Sequence, residues 1–210
     1  IDIMDTEVWM EGWKESFKPF TTQKFYVRPP WDDYPAGTSE MDLIIEPGMA
    51  FGTGQHATTK ICIGAIEDFL GSPEVTPESI SMLDVGTGTG ILAIAASKLG
   101  VKKIVGTDIE EDAIKASIEN SKVNNTEINY ELGSIPSGQK YDFVVANILA
   151  VVLRVLVKDI AAATNEGGSV LLSGLLNEEE AEIRAIAETY GLKFKKMTQL
   201  LDWTCMILEK

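Results

Sequence analysis

Three glycines at alternating positions give the sequence its strongest chemical signal. Gly86, Gly88 and Gly90 follow Asp84 in the run Asp-Val-Gly-Thr-Gly-Thr-Gly. Glycine accepts backbone angles that other residues avoid, so such a loop turns tightly and lets a ligand approach its backbone. A dinucleotide-binding loop has glycines at its first, third and sixth places, whereas here Ile91 takes the sixth place. No Gly-Lys-Ser/Thr follows, which excludes a P-loop. The loop favours another small ligand, with a purely structural turn as the alternative.

An acidic residue at the end of the next strand is the second signal. Asp108 stands 22 residues beyond Gly86. A carboxylate there can accept hydrogen bonds from both hydroxyls of an adenosine ribose. This spacing suits a dinucleotide and other nucleoside ligands equally well, and a helix cap is the alternative role. Gly133 and Ser134, after the following strand, are weaker candidates for contact with an adenine edge.

Asn147 is the sharpest catalytic candidate. It follows the apolar run 143–146 and begins the sequence Asn-Ile-Leu-Ala. Its side-chain carbonyl can accept a hydrogen bond from a target amine, and a neighbouring backbone carbonyl can accept a second. Two such bonds would orient the nitrogen lone pair for attack, which is catalysis by proximity and orientation. The alternative is an asparagine that caps the next helix.

A second glycine-rich stretch, residues 46–59, holds several further polar candidates. Thr58 and Thr59 could donate hydroxyl groups to a ligand, and Glu46 or His56 could accept a proton. A single histidine where a loop meets a helix is more often a cap or a packing residue. The sequence therefore leaves the proton acceptor open.

The elements that position these residues alternate regularly between strands and helices. Such alternation predicts a parallel sheet with helices on both faces, and ligands bind such sheets at the carboxyl ends of the strands. An acidic run at 177–180 predicts a further helix start. The predicted strands are 81–85, 103–107, 127–132, 141–146, 168–173, 192–198 and 203–209, and the predicted helices are 91–99, 111–123 and 149–163.

The N-terminal part has a different character. Trp9, Trp13 and Phe17 recur at helical spacing and predict one face of a short amphipathic helix. The run 28–31, Arg-Pro-Pro-Trp, predicts an extended connector. We expect residues 1–40 to form an N-terminal connector and residues 41–210 to form the catalytic domain.

Composition narrows the class of protein and its partners. The 210 residues include 32 acidic and 18 basic ones, for a net charge of −14. An acidic surface repels phosphate backbones and attracts basic partners, so we expect no direct nucleic-acid binding. One histidine and the two distant cysteines, Cys62 and Cys205, cannot assemble the usual zinc ligand sets, so no metal is expected. Neither a membrane span nor a basic-then-apolar leader is visible, and we expect a cytoplasmic protein.

Several of these runs together resemble one known family. The stretch Pro47–Thr59, Pro-Gly-Met-Ala-Phe-Gly-Thr-Gly-x-His-x-Thr-Thr, is similar to the hallmark loop of the bacterial methyltransferases that modify protein eleven of the large ribosomal subunit. The resemblance continues through 84–100, 106–109, 144–149 and 172–174. It therefore spans nearly the whole chain.

This resemblance implies a fold, a cofactor and a reaction. The implied fold is the Rossmann-like seven-stranded sheet of class I methyltransferases, mostly parallel with a final antiparallel strand. The implied reaction transfers methyl groups from S-adenosyl-L-methionine to lysine side-chain and α-amino nitrogens of a basic ribosomal protein. It also implies that an upstream substrate-recognition domain is missing from this chain. The implied cofactor contacts are Phe51, Thr59, Gly86, Thr87, Gly88, Gly90, Asp108, Ile109 and Asn147, with Asn147 also catalytic.

Three other functions remain alternatives at this point. The first is methylation of a small molecule or a nucleic-acid base. The second is a cofactor-binding or assembly module without turnover, and the third is a nicotinamide oxidoreductase. Methylation of a protein amine is the interpretation that the charge and the hallmark loop favour.

Overall fold

The computed structural model describes residues 17–47 and 56–210. In this part of the chain a seven-stranded sheet carries helices on both faces, and a three-stranded sheet lies beside it. The strands are β1 (Phe20–Thr21), β2 (Phe25–Arg28), β3 (Met41–Ile44), β4 (Ser81–Val85), β5 (Lys103–Asp108), β6 (Asn129–Leu132), β7 (Tyr141–Asn147), β8 (Thr164–Leu176), β9 (Lys193–Leu200) and β10 (Trp203–Glu209). The α-helices are α1 (Ala57–Leu70), α2 (Ile91–Lys98), α3 (Glu111–Val123), α4 (Ala150–Ala162) and α5 (Glu180–Thr189), and two 3-10 turns span Pro77–Ser79 and Asn177–Glu179.

The order of the large sheet is β6-β5-β4-β7-β8-β10-β9. The pairs from β6 to β8 are all parallel, whereas β10 is antiparallel to both of its neighbours. The predicted fold, a mostly parallel seven-stranded sheet with a final antiparallel strand, is therefore confirmed. From β4 the chain adds β5 and β6 on one side of the sheet, and it then returns to add β7 and β8 on the other side. A ligand cleft is expected between β4 and β7, where the direction of this strand order changes.

The central strands carry apolar residues at consecutive positions because both of their faces are covered. Met82 and Phe143 face the core under α1 and α2, whereas Leu83 and Val144 face the core under α4 and α5. Side chains alternate between the two faces of a strand, so a strand covered on both sides needs apolar residues at consecutive positions. This requirement is why β4 and β7 could be predicted from sequence with nearly their observed bounds.

Other elements differ from the sequence prediction. Strand β8 extends beyond the predicted 168–173 at both ends, and its pairing with β10 runs from Ser169 to Leu176. The acidic run at 177–180 forms a 3-10 turn first, and α5 begins at Glu180. Partner strands distant in sequence set these bounds, so local periodicity does not show them.

The three-stranded sheet of β1, β2 and β3 was not predicted. Phe25 and Leu43 are fully buried in the core that α1 and α2 cover, so the small sheet shares this core with the large sheet. The predicted connector begins with Arg28, which ends β2 and donates two hydrogen bonds of 2.8 Å to the Asp42 carboxylate. Trp9 and Trp13, on which the predicted amphipathic helix depends, lie outside the described residues. The division of the chain at residue 40 stays a prediction.

One backbone crossing holds the upper edge of the large sheet together. Ile148, the first residue after β7, passes between Gly86 and Gly174. A Cβ at Gly86 would lie 2.5 Å from Ile148 Cγ2, and one at Gly174 would lie 2.7 Å from the Ile148 carbonyl carbon. Both glycines also have positive φ angles, +70° and +82°. At Gly174 the neighbouring backbone leaves no room for a side chain, whereas at Gly86 a side chain would displace the Ile148 methyl group and would also have to adopt a positive φ.

The crossing predicts a large stability loss for Gly174→Ala. Gly191 supplies a matched control because its φ is +85° and a Cβ there would have nothing within 4 Å. Gly191→Ala should cost about 1 kcal/mol of unfolding free energy from the backbone angle alone. Gly174→Ala should cost more than about 3 kcal/mol, because the new methyl group overlaps the Ile148 backbone. Denaturant unfolding measures both values, and equal losses would contradict the proposed overlap.

Candidate functional site

A cleft of about 760 Å³ opens at the carboxyl ends of the parallel strands. Its walls come from the segments that follow β4, β5, β6 and β7, from the end of β8, from the starts of α1, α3 and α4, and from the start of β10. The residues that line it are His56, Thr58, Val85, Gly86, Gly88, Asp108, Ile109, Glu110, Asp112, Ala113, Gly133, Ser134, Asn147, Ile148, Leu149, Val152, Leu156, Gly174 and Trp203.

The glycine loop forms the floor of the cleft. Gly86, Gly88 and Gly90 all have positive φ, and the amides of Gly86 and Thr87 donate to the Thr107 carbonyl at 2.8 Å. The Gly90 carbonyl accepts the amide of Ile94 within α2 at 2.8 Å, so the loop leads directly into that helix. The loop is therefore held rigidly by β5 on one side and by α2 on the other.

Asp84 anchors this loop from below. Its carboxylate is buried and accepts a hydrogen bond from the Thr87 hydroxyl at 2.8 Å and one from the Ala93 amide. Burial raises the pKa of the Asp84 carboxyl from 3.8 to about 6, with a smaller contribution from repulsion by Asp108 and opposition from the two hydrogen bonds. Asp84 does not line the cleft, so its role is to hold the loop.

Asp108 lies on the cleft wall at the end of β5. One oxygen accepts the Gly88 amide at 2.9 Å and the other accepts the Glu110 amide at 3.0 Å. A carboxylate has about four acceptor sites, so each oxygen keeps one for a ligand. The helix-cap alternative for Asp108 is not what the structure shows, because the N-cap of α3 is Glu110 and, among the described residues, no side chain caps that helix. Asp108 instead holds the Gly88 and Glu110 amides on the cleft wall.

Asn147 ends β7 beside the glycine loop. Its side chain is 93% buried, and within the described part of the chain its Oδ1 atom has no hydrogen-bond partner. A buried acceptor without a partner costs about 1–3 kcal/mol, so a donor bound in the cleft would recover that free energy. The residue after it, Ile148, is packed against Gly86 and Gly174.

The start of α1 forms the opposite wall. The His56 side chain is the N-cap of this helix, with Nδ1 lying 2.8 Å from the Thr58 hydroxyl and accepting the Thr58 amide. The capping role, which was the more common alternative for this histidine, is the one that the structure shows. Its ring also packs edge-to-face against Trp203 at a centroid distance of 4.7 Å. These contacts place an aromatic surface beside the cleft.

Only some of the site residues predicted from sequence line the cleft. Gly86, Gly88, Asp108, Ile109 and Asn147 line it, and so do the weaker candidates Gly133 and Ser134. Thr87 and Gly90 support the loop from behind without lining the cleft. The fully buried Thr59 does not line the cleft, whereas its neighbour Thr58 does. Phe51 lies outside the described residues.

Sequence reasoning missed the apolar walls of the cleft. Trp203, Leu149, Val152 and Leu156 line it, yet none was a candidate. The three aliphatic residues follow Asn147 closely, so their proximity was a usable signal. Trp203 had no local signal, because only the pairing of β10 with β8 brings it to the carboxyl edge of the sheet.

Comparison with known proteins agrees with this geometry. The sequence profile described as Ribosomal protein L11 methyltransferase (PrmA) matches residues 1–210. A ribosomal protein L11 methyltransferase of Geotalea daltonii is 36% identical over 99% of this chain and 69% of its own length. The chain spans about two thirds of the length of such curated relatives.

In the described part of the chain, no helix is long and apolar enough to cross a membrane.

Solved structures show the same likeness. The ribosomal protein L11 methylase of Lactobacillus delbrueckii subsp. bulgaricus superposes with a TM-score of 0.80 at 31% identity, covering 89% of this chain and 95% of that one. The 16S rRNA N2 G1207 methyltransferase of T. thermophilus, solved with AdoMet and guanosine, has a TM-score of 0.64 at 20% identity over 79% of this chain and 46% of that one. The second likeness shows the fold alone.

The buried Asp84 carboxyl predicts a specific pH dependence of stability. Its folded pKa of about 6 exceeds the ordinary 3.8, so the folded state keeps a proton that the unfolded state has lost across this window. Stability therefore falls as pH rises from about 4 to about 6, by up to about 3 kcal/mol. Asp84→Asn should lack this loss, and Asp33→Asn, an exposed control, should retain it. Parallel unfolding free energies for wild type and Asp84→Asn between pH 4 and 7 would contradict this assignment.

Proposed function

The chain belongs to the ribosomal protein L11 methyltransferase family, and on that basis we propose that it transfers methyl groups from S-adenosylmethionine to lysine side-chain and α-amino nitrogens of ribosomal protein L11. The family is one of S-adenosylmethionine-dependent methyltransferases, so the resemblance and the cofactor expected from sequence are confirmed. The observation that carries the proposal for this chain is the buried Oδ1 atom of Asn147 beside the glycine loop, which has no hydrogen-bond partner within residues 17–47 and 56–210.

The cleft residues fit S-adenosylmethionine. Asp108 keeps one acceptor site on each oxygen, which matches the two hydroxyl donors of a ribose. Gly86 and Gly88 leave the loop backbone open to close approach, and Ile109 offers an apolar surface for a base. When bound, the cofactor supplies a methyl group on a positively charged sulfur, which is already a reactive donor.

Asn147 would act on the amine that receives the methyl group. Its Oδ1 can accept one N–H of the amine and so orient the nitrogen lone pair toward the cleft. A lysine amine is protonated below a pKa of about 10.4, and it must lose that proton before it can attack. The neighbouring Ile148, Leu149 and Trp203 side chains disfavour the charged ammonium by desolvation, which helps that loss.

The charge of the chain supports a basic protein as the substrate. With a net charge of −14 and with Glu110 and Asp112 at the cleft, the surface attracts basic polypeptides and repels nucleic-acid backbones. The proposed setting is the cytoplasm, where newly made ribosomal proteins are found. Direct nucleic-acid binding is not part of the proposed function.

A labelling experiment separates this function from methylation of a base. Ribosomes from cells without this gene are incubated with the full-length protein and S-adenosylmethionine that carries a radioactive methyl group. The proposal expects label in ribosomal protein L11, at lysine and α-amino positions when the protein is digested and analysed by mass spectrometry. Label in RNA or in small molecules, with none in protein, would refute it.

Cofactor binding should depend on Asp108 through the ribose hydroxyls. Asp108→Ala should weaken binding of S-adenosylhomocysteine about 100-fold, because two charge-assisted hydrogen bonds are lost. A 2′,3′-dideoxy analogue should bind wild type and Asp108→Ala about equally. Asp112→Ala is the control, since this exposed carboxylate also lines the cleft and should change affinity by less than about threefold. Calorimetry measures all of these affinities, and the assignment fails if Asp108→Ala weakens both ligands equally.

Turnover, by contrast, should depend on Asn147. Asn147→Ala should lower kcat for L11 methylation about 100-fold, because the amine loses the acceptor that orients it. Its affinity for S-adenosylhomocysteine should change by less than about threefold. Asn129→Ala, on the exposed edge strand β6, should leave both quantities at the wild-type value. An unchanged kcat in Asn147→Ala would show that this residue does not hold the amine.

A further inference from the structure

The outer face of α4 exposes four aliphatic side chains next to the cleft. They are Leu149, Val151, Val152 and Val155, with exposed fractions of 63%, 63%, 41% and 73%. We call these four residues the apolar lip. The outer face becomes charged immediately beyond them, at the exposed Lys158 and Asp159. The exposed apolar surface is therefore confined to the half of the helix that lies nearest the cleft.

The apolar lip is not needed for the packing of α4. Leu153, Val157 and Ile160 form the inner face of the helix and are fully buried in the core below. Positions on the outer face of such a helix usually carry polar side chains, because the exposure of aliphatic groups to water is unfavourable in free energy. A contiguous apolar patch at such a place marks an interaction surface.

The lip is continuous with the cleft that holds Asn147. Leu149 and Val152 line that cleft, and Leu149 follows Asn147 by two residues. From Leu149 to Val155 the helix rises about 9 Å, which equals about three residues of extended chain. A polypeptide with its target amine at Asn147 would therefore lay its nearest neighbours on the lip.

The charges around the lip also favour such a partner. Arg154 lies between Val152 and Val155, and its guanidinium pairs with Glu182 at 2.7 Å and Glu179 at 3.4 Å. Its positive charge is thereby balanced. Across the cleft, the exposed Glu110 and Asp112 present negative charge. A segment that combines basic and aliphatic side chains complements both surfaces.

We propose that the apolar lip is the docking surface for the substrate polypeptide beside its target amine. The docked segment carries an aliphatic side chain within about three residues of that amine, together with basic residues that face Glu110 and Asp112. This inference rests on the proposed function, because it takes the cleft to hold an amine on a protein. It adds a surface that selects which amine enters.

The test uses two positions of the lip that do not line the cleft. Val151→Ser combined with Val155→Ser should raise KM for ribosomal protein L11 about tenfold, because two apolar contacts leave the interface. The kcat at saturating L11 and the affinity for S-adenosylhomocysteine should stay within about twofold, since neither residue reaches the cleft. Val123→Ser, at the exposed end of α3, is the matched control and should leave KM unchanged.

Other occupants of the lip give different results in the same full-length protein. If the lip joins two copies of the chain, the double variant changes the oligomeric state in gel filtration while KM stays constant. If another part of the full-length chain covers it, the variant lowers the melting temperature and again leaves KM constant. Either result overturns the inference while wild-type methylation of L11 upholds the proposed function. A wild-type protein that does not methylate L11 overturns both.

Discussion

The functional geometry depends on one steric constraint, the close packing of Ile148 against two glycines, with its side chain toward Gly86 and its backbone toward Gly174. Gly86 lies in the loop after β4 and Gly174 lies near the end of β8, whereas Ile148 follows β7, the strand between them. The contact therefore fixes three neighbouring strand ends relative to one another. Asn147 precedes Ile148 directly, so the packing of Ile148 against these two glycines also places the Asn147 backbone relative to the glycine loop.

A buried carboxylate supports the same arrangement at a cost. Asp84 holds the glycine loop through Thr87 and Ala93, yet its burial raises the pKa of its carboxyl to about 6. Ionisation of Asp84 at neutral pH therefore costs the folded state free energy, and the fold carries that penalty to keep the loop in place. The burial of Asp84 thus costs electrostatic free energy, and it keeps the glycine loop in one conformation. Asp108, at the surface, caps the same loop and still has acceptor sites for a ligand.

Sequence patterns predicted those parts of the molecule whose structure is determined by residues close to them in the chain. The glycine loop, Asp108 and Asn147 follow strands that are apolar on both faces, and that apolar character is visible in the sequence itself. By contrast, the full length of β8 and the position of Trp203 depend on pairing with β10, which no local pattern records. The small sheet of β1 to β3 is set by contacts with α1 and α3, such as the hydrogen bond from the Ile44 amide to Asn124. His56 shows the same limit, since only the structure distinguishes a helix cap from a catalytic base.

The position of β10 has a consequence for biosynthesis. This strand lies between β8 and β9, although it is translated after both of them. While the nascent chain lacks it, β8 presents a long unpaired edge and β9 has no neighbour in the sheet. The Trp203 wall of the cleft is also missing at that stage. The cleft therefore gains its Trp203 wall only after residues 203–209 have left the ribosome and paired with β8.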